Sequence, residues 1–228
     1  MSSSRTSRPI PIALTALVAF FSALAALSVS NGHAHAHGNA PHEAQATITR
    51  SELVLRRDMR QLWEDHIVWT RLAIISLITG APDTEATVDR LLSNQSDIGN
   101  AVKPFYGKAA GDKLTSELRQ HILIAADLVA AAKAGDQAKL ADAQSRWQQN
   151  ADGIASVLNS VNPRFWKLAT MKAEMRMHLA LTTEEAVARL NGDWKADVAA
   201  YDRIHRHILH MSDLLSAGLV KQFPKRFR

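Results

Sequence analysis

The sequence predicts an all-α protein: an up-and-down bundle of about six helices, arranged as three tandem helical hairpins and preceded by a signal peptide. Three observations predict this fold. From Glu52 onward, apolar residues recur at spacings of three, four and seven, as on one face of a helix. Glycine, proline and aspartate clusters interrupt that pattern at intervals. A set of residues also recurs about 56 positions apart.

The first thirty residues have the features of a signal peptide. Arg5 and Arg8 precede an uncharged apolar run over 10–27, and small-x-small cleavage motifs follow at 28–30 and 34–36. An uncleaved anchor is the alternative, because this run nearly spans a bilayer. We expect a signal peptide over 1–30, a periplasmic or secreted location, and no stable membrane insertion after cleavage.

The rest of the chain divides into a linker and a helical domain. Residues 31–47 contain glycine, proline and four histidines without a hydrophobic period, so we expect a flexible histidine-rich linker there, followed by a bundle domain over 48–228. Helices are expected at about 52–79, 84–102, 109–134, 137–161, 164–190 and 194–221. The predicted stops are Gly80 to Asp83, Pro104, Gly135-Asp136, Asn162-Pro163 and Gly192-Asp193.

An internal repeat joins these helices in pairs. Two groups of residues are separated by an interval of 57, namely Glu117, Arg119, His121, Gly135 and Asp136, and Glu174, Arg176, His178, Gly192 and Asp193. His66 stands 55 residues before His121. On the second arms Asn94 recurs as Asn150, and His207 stands 57 residues beyond it. We therefore predict three copies of a helical hairpin.

Composition excludes several functions. The absence of cysteine rules out disulfides, a CxxCH haem attachment, iron–sulfur clusters, a thiol nucleophile and a lipoprotein anchor. The net charge is +5, of which Arg5 and Arg8 supply two, and the interior basic residues alternate with acids. We expect no nucleic-acid partner. No nucleophile, phosphate-binding or dinucleotide motif is present, which favours a binding protein over an enzyme.

Three histidines share one register on the first arms and form the main candidate site. His66, His121 and His178 each lie on an otherwise apolar face, and His207 holds the matching second-arm position. Glu117 and Glu174 precede two of these histidines by four residues, hence on the same helix face. Imidazoles and carboxylates at one depth are typical of metal sites in bundles. Two alternatives stay open: hydrogen-bonded core histidines without a metal, or haem with axial histidine, Met59 or Met175.

The linker is a second candidate metal site. His33, His35 and His37 alternate with alanine. Cleavage after Ser30 would place His33 third in the mature chain, where the amine, two amides and the imidazole form a square-planar Cu(II) or Ni(II) site. Cleavage after Ala36 would remove it. The alternative is a plain spacer.

Short fragments of the domain resemble a group of exported bacterial helical proteins without known activity. These fragments are 62–66 with 69–71, 97–100 with 104–107, and 222–224. The resemblance implies a small secreted helical domain and no residue role.

The function expected from the sequence is exported metal binding, with copper or nickel as the candidate metals and no indicated partner. A structural or interaction protein of the cell envelope without ligand is the alternative, and a metal- or haem-containing oxidoreductase is the second. Aromatic residues near helix ends are expected to plug the ends of the bundle, these being Trp63, Trp69, Phe105, Tyr106, Trp147, Phe165 and Trp166.

Overall fold

The structure is a computed structural model, and it describes residues 48–228. The predicted signal peptide, the predicted linker and His33, His35 and His37 lie outside the described residues. Within them the all-α prediction is confirmed, because six α-helices and one short 3-10 helix account for all regular structure. The helices are α1 (Arg50–Thr79), α2 (Thr84–Tyr106), α3 (Lys108–Ala134), α4 (Gln137–Val161), α5 (Leu168–Leu190) and α6 (Trp194–Gln222), and the 3-10 helix is Pro224–Phe227.

The stops predicted between α3 and α4 and between α5 and α6 have the expected chemistry. Gly135 has φ 70° and Gly192 has φ 71°, a left-handed conformation that glycine adopts without a Cβ clash. The Asp136 and Asp193 carboxylates accept from the backbone N–H groups of Lys139 and Ala196. Both aspartates therefore cap the helices that follow them.

The first stop differs from this pattern. Gly80 is left-handed with φ 67°, but Asp83 makes no side-chain cap to α2. Its Oδ1 accepts instead from the Ser76 hydroxyl at 2.9 Å. This bond ties the start of α2 to the last turn of α1.

Two predicted boundaries were wrong, and tertiary contacts explain both. Helix α2 continues through Pro104 to Tyr106, whose ring lies 5.5 Å from that of Trp166. Helix α5 begins at Leu168 rather than near Arg164, because Asn162 organises a turn in between. The Asn162 side-chain oxygen accepts from Phe165 N–H, and its backbone carbonyl accepts from Trp166 N–H.

The six helices pack in a closed ring, and α1, α3 and α5 lie nearest its centre. Each helix contacts the next, α6 returns to pack on α1, and α1 also contacts α3 and α5. Among residues 48–228, seven of the twelve largest fully buried side chains are aliphatic: Ile67, Ile98, Ile154, Leu179, Ile204, Ile208 and Leu219. Helices α1, α3 and α5, which carry the three candidate histidines, therefore meet inside the ring.

One end of the bundle is closed by aromatic rings. The Phe105 and Tyr106 rings each lie 5.4 Å from that of Phe223, and Phe105 stacks on Phe227 at 6.2 Å. Trp166 packs on Tyr106 in the same group. The prediction of an aromatic plug is correct for Phe105, Tyr106 and Trp166. It is wrong for Trp63 and Trp147, which lie beside histidines in the core.

None of the helices described here combines the length and the apolar character needed to cross a membrane.

Candidate functional site

His66, His121 and His178 form a buried layer at the centre of the bundle. Their exposed fractions are 2%, 3% and 4%. The ring centroid of His178 lies 5.8 Å from that of His66 and 5.6 Å from that of His121. His178 thus stands between the other two rings, and one imidazole from each central helix reaches the same level. We call these three residues the histidine layer.

The second arms hold the histidine-bearing helices at this level through three equivalent hydrogen bonds. Asn94 donates to the Leu62 carbonyl at 3.0 Å, and Asn150 donates to the Glu117 carbonyl at 3.0 Å. His207 donates to the Glu174 carbonyl at 3.1 Å through Nε2. Each accepting carbonyl lies four residues before a layer histidine, so each bond fixes the height of one imidazole.

Amide groups also contact two of the layer imidazoles directly. The Gln95 amide nitrogen lies 3.2 Å from Nδ1 of His66. His121 lies 2.9 Å from the Asn150 side-chain oxygen through Nδ1. Because the Asn150 nitrogen is already a donor to Glu117, its oxygen accepts here and His121 carries its proton on Nδ1. The lone pair of His121 is then on Nε2.

His178 has no such amide. Its Nδ1 is buried and has no hydrogen-bond partner among residues 48–228. The second-arm residue that would supply an amide at this register is His207, whose Nε2 is used by the Glu174 carbonyl. A buried nitrogen left without a partner costs about 1–3 kcal/mol, so this position is destabilising unless it binds something.

Burial keeps the layer imidazoles uncharged. Desolvation, with a contribution from the nearby His121, lowers the pKa of His66 to about 3. Desolvation lowers the pKa of His121 to about 4, against a partly opposing hydrogen bond to Asn150. The pKa of His178 is held well below its ordinary value by desolvation and then by the other imidazoles. Neutral imidazoles are the form that ligates metals.

The layer borders an apolar cavity of about 30 Å³. All three histidines line it together with the thioethers of Met59, Met175 and Met211, and its remaining walls are aliphatic or aromatic. A volume of that size holds one water molecule or one ion. Trp63 packs edge-on against His66 at 5.6 Å, and Trp147 stacks on His121 at 5.2 Å. These indoles wall the layer off from solvent.

The two predicted carboxylates lie outside this cavity. Glu117 pairs with Lys113 at 2.5 Å and accepts from Asn150 at 3.1 Å. Glu174 faces His207 at 3.8 Å and His210 at 3.6 Å. Over residues 48–228, no three histidine or acidic side chains are arranged to hold a metal ion by themselves. Any ion in the cavity would therefore need the methionine sulfurs as additional ligands.

His207 stands at the edge of the layer, with its ring 6.4 Å from that of His178 and nearly parallel to it. His210, which the repeat did not single out, lies one turn further along α6 and is mostly exposed. Its spacing of three from His207 was the only available signal.

A second polar cluster was not predicted from the sequence. Arg71 pairs with Glu185 at 2.7 Å and with Asp197 at 2.9 Å, and Arg189 pairs with Asp197 at 3.0 Å. Glu185 is fully buried, and desolvation raises its pKa to about 7 in spite of the Arg71 partner. These residues come from α1, α5 and α6, so no local spacing indicated them.

Comparisons with known proteins give no functional assignment. No protein-family description, curated protein or solved structure matches this chain.

Proposed function

We propose that this chain is an exported helical-bundle protein that binds a soft monovalent metal ion, Cu(I), in the cavity of the histidine layer. The observation that carries the proposal is the convergence of three uncharged imidazoles and three thioethers on one ion-sized cavity. Imidazole nitrogen and thioether sulfur are ligands suited to copper, and the soft thioethers select Cu(I).

The uncharged lining of the cavity favours a monovalent ion over a divalent one. The cost of moving an ion from water into an apolar interior rises with the square of its charge, and no carboxylate of residues 48–228 lines the cavity to offset it. Zn(II) and Ni(II) would each bring two positive charges into this environment. Cu(I) also needs only two or three ligands, which one or two layer histidines and a methionine supply.

The same cavity gives no support to haem. Sites for small-molecule ligands and cofactors usually enclose about 300–1,000 Å³, whereas this cavity measures about 30 Å³.

A second candidate is a structural or interaction protein without a ligand. The amide contacts of His66 and His121 favour it, because both imidazoles already have protein partners. In that case the layer would only fix the packing of α1, α3 and α5. This alternative gives no role to Nδ1 of His178, which has no hydrogen-bond partner within the described part of the chain.

We also propose that the six helices form three tandem helical hairpins. The three second-arm bonds to Leu62, Glu117 and Glu174 support it, since each connects corresponding positions of the repeat. Export and the additional Cu(II) or Ni(II) site at Asn31 to His33 rest on the sequence alone. N-terminal sequencing of the secreted protein tests both.

Thermal unfolding of the full chain with Ag(I), a redox-inert substitute for Cu(I), tests the cavity site. An ion bound inside the folded bundle raises Tm, whereas an ion held by a chain segment that plays no part in the fold does not. At an Ag(I) concentration about 100 times Kd the stabilisation is about 2.7 kcal/mol.

The matched variant is the Met59→Leu, Met175→Leu and Met211→Leu triple substitution, which preserves apolar volume but removes the three sulfurs that line the cavity. We expect it to retain the fold and lose most of the Ag(I)-induced rise in Tm. An unchanged Tm of the natural chain with Ag(I) would contradict the proposal. An equal rise in Tm for the triple variant would show that the methionine sulfurs of the cavity are not involved.

A further inference from the structure

The histidine layer is connected to the surface by a line of potential ligands between α5 and α6. Relative side-chain exposure falls along this line from 64% for His210 to 20% for Glu174 and 10% for His207. The next ring inward is that of His178, which is buried. Solvent therefore reaches the first member, and the cavity adjoins the last.

The spacing along this line is short at every step. Nε2 of His210 lies 3.6 Å from one carboxylate oxygen of Glu174, and Nδ1 of His207 lies 3.8 Å from the other. The His207 and His178 rings are 6.4 Å apart at an interplanar angle of 24°. His178 in turn lies within 5.8 Å of both remaining layer rings.

The tautomer of His207 suits it to pass on a cation. Its Nε2 donates to the Glu174 backbone carbonyl, so the proton is on Nε2 and the lone pair is on Nδ1. That Nδ1 is the nitrogen facing the Glu174 carboxylate. A cation attracted by the carboxylate thus meets a free imidazole nitrogen without any proton having to leave.

The third repeat differs from the other two at this position. Asn94 and Asn150 make the equivalent bonds in the first two repeats, and an amide there fills the position without offering an imidazole. Only in the third repeat does a histidine replace the amide, and it is the adjoining His178 that keeps a buried nitrogen without a partner over residues 48–228.

We propose that His210, Glu174 and His207 form the access route by which a soft cation reaches the histidine layer through His178. This inference rests on the proposed function. Each step exchanges one ligand for the next on a monovalent ion, from imidazole to the Glu174 carboxylate and back to imidazole: a lone pair leaves the ion as another binds, and no electron or proton is transferred. The three residues hold the ion only in transit, consistent with their lacking the arrangement of a stable site.

Stopped-flow mixing of the full chain with Ag(I) in chloride-free buffer tests the route, with the change in tryptophan fluorescence as the signal. Trp63 and Trp147 lie against layer histidines and report arrival of the ion. His207→Asn introduces the residue that the other two repeats carry. We expect it to slow Ag(I) loading about tenfold, while the Ag(I)-induced rise in Tm is retained.

Two further variants keep the test informative even if His207→Asn disturbs the fold. Glu174→Gln removes the attracting charge near the surface and His210→Gln removes the exposed imidazole, and both should lower the loading rate. The control is His205→Gln, since His205 lies on the same helix but pairs with Glu64 at 2.7 Å, away from the route. It should load at the natural rate.

Each other outcome overturns the inference in a distinguishable way. Natural loading rates in all three route variants would mean that the ion arrives elsewhere, and the proposed function would survive. Loss of the rise in Tm in His207→Asn would make His207 a ligand of the final site instead of a step towards it. Absence of any rise in Tm in the natural chain would overturn the site and the route together.

Discussion

At the scale of single residues, the layer histidines differ in how well the protein satisfies them. His66 and His121 contact amides, whereas Nδ1 of His178 has no partner among the described residues. The repeat predicted that all three would share a register, and their common burial agrees with it. It could not predict which imidazole lacks a partner, because that depends on Asn150 and His207 reaching across from other helices.

Replacing His178 by leucine should stabilise the metal-free protein. Among the residues that the structure describes, the substitution removes a buried nitrogen without a partner and leaves no other group unpaired, so we expect the free energy of unfolding to rise by about 1–3 kcal/mol. Urea unfolding measures it. His121→Leu is the matched control and should be destabilising, because it leaves the Asn150 oxygen buried without its donor. A loss of stability in His178→Leu equal to that of the control would contradict the assignment.

The lowered pKa values predict acid sensitivity. An unfolded histidine takes up a proton below about pH 6.5, whereas folded His66 and His121 do so only at about pH 3 and about pH 4. Their stabilising contribution is therefore complete above pH 6.5 and is lost as pH falls through the window down to the folded values. By linkage, the free energy of unfolding falls by about 2 kcal/mol per histidine between about pH 7 and pH 5.

Urea unfolding at several pH values measures this slope. His66→Gln should reduce this pH dependence by the contribution of one histidine, because glutamine does not titrate. An unchanged slope in that variant would mean that His66 is not buried in its neutral form.

At the scale of helices, local sequence signals predicted most helix boundaries. They failed where contacts with distant parts of the chain determine the boundary. The glycine stops and aspartate caps at 135–136 and 192–193 were readable because their chemistry is local. The end of α2 and the start of α5 were not, since both depend on the aromatic plug around Trp166. Pro104 ends no helix here because the residues after it are held by that plug.

The contact between α6 and the plug makes one glycine essential. A Cβ at Gly218 would stand 1.9 Å from Nε1 of Trp166, which is fully buried and cannot move aside. We expect Gly218→Ala to lower the free energy of unfolding by about 1–3 kcal/mol or more through overpacking.

Gly153 in α4 is the control, because a Cβ there meets only the carboxylate end of Glu117 at 3.3 Å. Gly153→Ala should be neutral or stabilising by up to about 1 kcal/mol, the helix-propensity difference. Urea unfolding compares the two variants, and equal effects would contradict the close approach of α6 to Trp166.

At the scale of the whole molecule, the closure of the ring is the feature that the sequence could not supply. Helical periodicity predicts that helices exist, but it carries no information on which helix follows α6 around the bundle. The packing of α6 on α1 is accompanied by ion pairs between residues more than a hundred positions apart, from Arg71 to Glu185 and Asp197. The candidate site depends on this long-range packing, because it brings α5 against α1 and places the ring of His178 5.8 Å from that of His66.

Removing Arg71 should therefore weaken the closed ring, in a way that depends on pH. Arg71→Met leaves Glu185 and Asp197 buried with less positive charge, and breaking such a pair costs about 3–5 kcal/mol. Glu185 has a folded pKa raised to about 7, so it is largely ionised at pH 8 and largely protonated at pH 5.5. The loss of stability relative to the natural chain should be greater at the higher pH.

Comparing the two chains at each pH cancels the histidine contribution. Glu185→Gln, which mimics the protonated acid, is the reference for a second comparison: adding Arg71→Met to Glu185→Gln should cost an amount that depends little on pH. An equal loss at both pH values in Arg71→Met alone would show that Glu185 does not titrate in the folded protein.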